Sequence, residues 1–117
     1  MNTEKKRLIL DLYASFNSRD VDGVLVHFAT DVEWPNGWEG GYVHGHAAVR
    51  DYWTRQWREF NPIVRPVGFK DLQDSLEVKV HQLVKDLQGN VVHDGIVYHV
   101  YSFKNDKIQR MDILAHE

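Results

Sequence analysis

The 117-residue chain has no cysteine. That excludes disulfides, thiolate nucleophiles and cysteine-ligated zinc, and leaves the redox compartment open. No apolar run is long enough to cross a bilayer. The start, Met1-Asn2-Thr3-Glu4-Lys5-Lys6-Arg7, leads into a short apolar stretch broken by Asp11. It does not read as a secretory signal, so the cytoplasm is the default expectation. Positive charge is also scarce: 14 Lys and Arg face 17 Asp and Glu, for a net charge of -3. Phosphate neutralisation needs a basic face, so nucleic acid is not expected as the main partner. Internal repeats, low-complexity tracts and linkers are missing. A single domain over residues 1–117 is expected, with a core that an internal pocket would thin and that would favour pairing of two copies.

What the chain has instead is aromatic side chains and a change of period. Four Trp, five Tyr and five Phe are present, and all four Trp fall between positions 34 and 57. Leu8, Ile9, Leu12, Tyr13 and Phe16 recur at helical spacing, predicting an amphipathic helix over residues 4–17. After a polar break, Asp20 is a good N-cap. Val21, Val24, Leu25 and Phe28 then predict a second, shorter helix. Val32-Glu33-Trp34 reads as a brief strand stopped by Pro35. Residues 35–45, with four glycines, read as a loop. A third helix is expected from His46 to about Phe60, with Val49, Tyr52, Trp53, Trp57 and Phe60 as its buried stripe and Asn61-Pro62 as its end.

Beyond Phe60 the period drops to 2. Ile63 to Phe69 is extended. Leu76, Val78, Val80 and Val84 alternate with polar residues, Gln88-Gly89-Asn90 makes a hairpin turn, and strands are expected over 91–103 and 107–115. The order ααβαββββ, with late hairpin connections, predicts an α+β fold whose helices pack on one face of a mixed or antiparallel sheet.

The ordered set of segments resembles the nuclear transport factor 2-like superfamily, on its SnoaL-like and ketosteroid-isomerase-like side. The carriers are Tyr13-Ala14-Ser15-Phe16-Asn17-Ser18-Arg19-Asp20, Phe28-Ala29-Thr30-Asp31, Val32-Glu33-Trp34-Pro35, His44-Gly45-His46-Ala47-Ala48-Val49 and the final hairpin from Tyr101-Ser102-Phe103 to Met111-Asp112. The resemblance implies a cone whose strongly curved sheet wraps a pocket, often paired through the sheet. Ketosteroid isomerase combines an Asp base with an oxyanion hole of a Tyr and a protonated Asp. By alignment the Tyr falls on Tyr13, the oxyanion-hole acid on His99 and the base on Trp34, which cannot accept a proton. The SnoaL-like cyclases use an acid in the last strand, here Asp112. The resemblance thus implies a similar pocket with altered chemistry, or with none.

Two ionisable groups stand in strands that should be buried, and buried polar groups need a partner or a purpose. His99 is either a hydrogen-bonded core residue or a pocket donor and proton carrier that titrates near neutrality. Asp112 is either ion-paired to Arg110 on the same face or part of acid/base chemistry. Tyr13 either packs with its hydroxyl at the rim or meets a ligand. Trp34, Trp38, Tyr52, Trp53, Trp57 and Phe28 are core or the wall of an apolar site. His44 and His46 lack the spacing of a zinc set, so no metal and no cofactor are expected. The leading expectation is a small-molecule pocket protein, an isomerase, cyclase or hydratase acting by proton transfer on an apolar, cyclic substrate. His99, Asp112 and Tyr13 would be its catalytic groups. The alternative is a non-catalytic binding or dimeric interaction module. No membrane partner is expected. A homodimer through the sheet is expected, because Val97 and Tyr101 make one side of the late strands apolar while Tyr98 and Val100 do the same for the other.

Overall fold

The computed structural model describes residues 3–37 and 39–114. The element order is α1 (Thr3–Asn17), α2 (Val21–Leu25), β1 (Phe28–Pro35), β2 (Tyr42–His44), α3 (His46–Trp57), β3 (Phe60–Asp71), β4 (Ser75–Asp86), β5 (Val91–Lys104) and β6 (Lys107–Leu114). The strands form a six-stranded sheet ordered β2-β1-β6-β5-β4-β3. Every neighbouring pair is antiparallel except β1 with β6, which is parallel. The fold is therefore α+β, of the expected class.

Three boundaries differ from the expectation, each for a local reason. The second helix stops at Leu25, and Phe28 opens β1 instead of closing a helical stripe. Asp20 caps that short helix by accepting from the Gly23 amide at 3.0 Å. The glycine-rich segment holds a short strand, with Trp34 paired to Val43 and Pro35 to Tyr42. Gly40 and Gly41, at φ of 91° and 74°, let the chain reverse between these strands. The third helix ends at Trp57, and Phe60, Asn61 and Pro62 belong to β3. Pro62 is tolerated because β3 is an edge strand, where a missing N–H need not interrupt a ladder.

The core lies between the helices and the concave face of the sheet. Ile9, Leu12 and Tyr13 of α1 and Val49, Tyr52 and Trp53 of α3 are buried against Leu76, Val78 and Val80 of β4, Tyr101 of β5 and Met111 of β6. Register shifts interrupt the β1–β6, β3–β4, β4–β5 and β5–β6 pairings. Such bulges bend strands and increase twist, which lets a sheet curl around its contents. Among the described residues, no helix is long and apolar enough to cross a membrane.

Candidate functional site

The curled sheet and the two long helices enclose a cavity of about 600 Å³. Leu12, Tyr13 and Phe16 of α1 line it on one side, and Tyr52, Trp53 and Gln56 of α3 on another. The sheet contributes Trp34, Val64, Gln82, His99, Tyr101, Met111 and Ile113 among others. The described lining residues include no Asp, Glu, Lys or Arg.

Three of the lining side chains form a buried polar chain. The hydroxyl of Tyr13 lies 2.6 Å from His99 Nδ1 and 2.8 Å from the hydroxyl of Tyr101. His99 and Tyr101 are two apart on β5, so both turn to the same face of the sheet. Tyr13 reaches them from α1, 86 residues away in the chain from His99. All three are buried: Tyr13 is 3% exposed, His99 5% and Tyr101 0%. Burial disfavours charge and pushes the His99 imidazolium pKa down to about 4. Burial also raises the phenol of Tyr13, an effect its neighbour Tyr101 reinforces, and burial raises Tyr101 itself. The chain is thus neutral across ordinary pH. Of the two readings of His99, burial favours the hydrogen-bonded core residue over a group that titrates near neutrality. Tyr101 was not singled out in the sequence. Its signal was its place two residues after His99.

The aromatic wall divides. Trp34, Tyr52 and Trp53 line the cavity. Trp34 and Trp53 meet edge to face, with centroids 5.5 Å apart. Phe28 and Trp57, expected beside them, are not among the lining residues. Phe28 stacks behind Trp34 at 5.0 Å. Trp57 packs against Phe16 and Trp53 and carries the Arg19 guanidinium over its ring at 5.0 Å. Trp38 lies outside the described residues.

Of the two readings of Asp112, the structure holds the ion pair with Arg110. Met111 and Ile113 point into the cavity, so strand alternation turns Asp112 to the opposite face. There it accepts from the hydroxyl of Tyr42 and from Arg110 Nε at 3.1 Å. Desolvation pulls its pKa up, but hydrogen bonds from Arg110 and Tyr42 outweigh this and hold it below the usual carboxylate range. Arg110 also lies over the Tyr42 ring at 4.3 Å and within 3.6 Å of Glu33. Tyr42 itself borders the cavity, so Asp112 touches the site only through it.

The His-Gly-His segment makes contacts within the fold. His44 pairs with Glu33 at 3.3 Å. His46 Nε2 lies 3.0 and 3.1 Å from the carbonyls of Phe28 and Ala29, tying the start of α3 to β1. Among the described residues no three His, Asp or Glu side chains cluster as a metal site would require.

Helices backing a mixed six-stranded sheet that closes on an apolar cavity define the nuclear transport factor 2-like class. Residues 9–111 match the model of the SnoaL-like domain, and the chain belongs to that family. Among solved structures it is similar to TerC, co-crystallised with polyporic acid, at 26% identity and a TM-score of 0.82, covering 94% of this chain and 89% of TerC. It is also similar to a nuclear transport factor 2-like protein of unknown function from Burkholderia pseudomallei, at 21% identity and a TM-score of 0.85 over 98% and 92% of the two chains. SalBIII, an epoxide hydrolase/cyclase-like enzyme with a role in pyran ring formation in salinomycin, aligns at 20% identity and a TM-score of 0.78 over 97% and 93%. No curated protein matches the chain.

Proposed function

We propose that the cavity binds a small, largely apolar, cyclic molecule and that the protein acts on it by proton transfer without a cofactor, as an isomerase, cyclase or hydratase. The observation that carries this reading is the buried Tyr101–Tyr13–His99 chain set in an otherwise aromatic and aliphatic wall. Its volume falls within the ~300–1,000 Å³ usual for small-molecule sites, which are mostly apolar with a few placed polar groups. A similar protein, TerC, has been crystallised with a small molecule, which supports the same use of the fold here. Trp34 and Trp53 would hold the ring, and His99 would meet its polar group, with Tyr13 behind it.

A non-catalytic binding module is the second reading. It is favoured by Trp34 standing where the isomerase relatives hold a base, and by a wall whose described residues carry no carboxylate. We also propose that two copies pair through the outer face of the sheet, where Ile96, Tyr98, Val100 and Leu114 gather.

Thermal-shift screening with cyclic ketones, lactones and aromatic acids tests the binding. A ligand selective for the native state raises the melting temperature. Product analysis on each hit then separates enzyme from binder: turnover that disappears in His99→Gln supports catalysis, and binding without turnover supports the second reading. If the hits bind equally well to a variant whose cavity is filled, such as Val64→Trp, the cavity is not the site.

A further inference from the structure

The resemblance to ketosteroid isomerase implied that Tyr13 and the residue at position 99 act side by side as two donors to a ligand. Here they are in series, and the order of protons along the series can be worked out. With both phenols and the imidazole neutral, the chain holds three polar hydrogens, one each on Tyr101, Tyr13 and His99. The Tyr13 hydroxyl touches both others.

Suppose His99 carried its proton on Nδ1. That proton would go to Tyr13, and Tyr13's would go to Tyr101. The hydrogen of Tyr101 would then have no acceptor among the described residues, on a hydroxyl that is wholly buried. A buried donor left unpaired is costly. The reverse order strands nothing: Tyr101 donates to Tyr13, and Tyr13 donates to Nδ1. His99 must then be protonated at Nε2. No described residue accepts from Nε2, and His99 lines the cavity, so Nε2 is the ring nitrogen left to face it.

We propose that Tyr13, whose hydroxyl accepts from Tyr101 and donates to Nδ1, fixes His99 as the Nε2–H tautomer, so that the cavity offers a neutral hydrogen-bond donor to an uncharged ligand bearing a carbonyl oxygen. The ligand class rests on the reading that this cavity is the binding site; the tautomer does not. The described wall has no cation to receive a carboxylate and no carboxylate to receive an amine. A charged ligand would have to bury its charge unpaired, which costs far more than one hydrogen bond returns. A neutral imidazole suits this task, since it can polarise a carbonyl without surrendering a full charge to the site. Tyr13 is a positioning residue: in this arrangement it acts on the ligand only through His99.

The first test needs no ligand. Two-bond ¹⁵N–¹H correlation of histidine-labelled protein, with His99 assigned by its loss in His99→Gln, reads the tautomer directly. The Nε2–H form is expected to hold from about pH 8 down to about pH 5.5. Tyr13→Phe should abolish the preference, whereas Tyr101→Phe should keep the Nε2–H form with the fold intact by circular dichroism, because the Tyr13 hydroxyl then has no described acceptor but Nδ1. An Nδ1–H tautomer or an imidazolium at pH 7 in the unsubstituted protein overturns the proposal, whether or not the variants fold. A shift to the Nδ1–H form in a folded Tyr101→Phe overturns the proton order. The second test compares 2-acetylnaphthalene with 2-naphthoate by calorimetry at pH 7. The ketone should bind at least tenfold more tightly, and the preference should vanish in His99→Leu. Equal or tighter binding of the acid overturns the ligand class. Binding of neither probe, with the Nε2–H tautomer observed, overturns the ligand class together with the binding-site reading and leaves the proton order standing.

Discussion

The side-chain amide of Asn17 holds both backbone groups of Val64: its Nδ2 donates to the Val64 carbonyl at 2.8 Å, and its Oδ1 accepts from the Val64 amide at 2.9 Å. Val64 lies in β3, the edge of the sheet. The last residue of α1 thus takes the place of a missing neighbouring strand and fixes the helix against the sheet beside the cavity. It also blunts an edge that would otherwise be open to pairing with another chain.

Asn17→Ala should leave two part-buried backbone groups without protein partners. At ~1–3 kcal/mol for a lost partner, eased by water at the edge, a destabilisation of about 2 kcal/mol is expected. Asn17→Asp should not rescue it, since a carboxylate can accept from the Val64 amide but cannot donate to its carbonyl. Urea denaturation of the three proteins checks this. A loss below about 0.5 kcal/mol in both variants would show that the contact contributes nothing.

His99 predicts a stability that falls on mild acidification. In the unfolded chain its imidazole takes up a proton near pH 6.5, whereas in the folded protein it does so only near 4. Between these values the unfolded state binds more protons, so stability drops as pH falls through that window. The loss from this group reaches about 3 kcal/mol by pH 4. Half-exposed His27 adds a smaller effect of the same sign, so the measurement is a difference. His99→Gln cannot titrate but can still accept from Tyr13, and it should lose markedly less stability than the unsubstituted protein between pH 7 and 4. Parallel curves for the two would contradict the burial assigned to His99.

Much of this was legible in the sequence because it rests on periodicity. The shift from 3.6 to 2 after residue 60 marks the change from helices to hairpins, and His99 stands out as a titratable group in an apolar run. What was not legible depended on partners distant in sequence. Phe28 and Phe60 fit the helical stripes before them, and only pairing with Ile108 and Asp86 draws them into strands. The strand Tyr42–His44 is three residues long and hidden among glycines, so it carries no period of its own. The face of Asp112 could not be read, because both sides of β6 are apolar enough to pass for the inside. The Tyr13–His99 contact joins a helix to a strand, and nothing local announces it.

The placement of Asp112 leads to a prediction that separates this protein from a cyclase with an acid in the pocket. Asp112→Asn removes a carboxylate that is about one-third exposed and paired with Arg110. Such pairs contribute little, so a stability loss of at most about 1 kcal/mol is expected. Because Asp112 meets the cavity only through Tyr42, ligand affinity should change less than threefold. Tyr42→Phe, which breaks the same contact from the cavity side, should behave alike. A hundredfold loss of activity in Asp112→Asn would mean that the carboxylate reaches the substrate.

The outer face of the sheet yields the last prediction. Register pairs place Tyr98 beside Leu114 and Lys79, Ile96 beside His81, and Val100 between Glu77 and Asp112. All these side chains alternate away from the cavity. The result is an apolar strip through Ile96, Tyr98, Val100 and Leu114, with Ile96 44% and Leu114 40% exposed. Charged residues border it: Lys79, Glu77, Asp112 and the His81–Asp94 pair, whose atoms are 2.6 Å apart. An apolar centre with a polar rim is the anatomy of a protein interface. Two copies related by a twofold axis could cover the strip against itself. Light scattering at about 10 µM should give twice the 13.7 kDa chain mass. Ile96→Asp places a charge in the middle of the strip without touching the cavity, and it should give the monomer mass while far-UV circular dichroism and ligand binding persist. A monomer mass for the unsubstituted chain would refute the pairing. A dimer that survives Ile96→Asp would move the interface to another face.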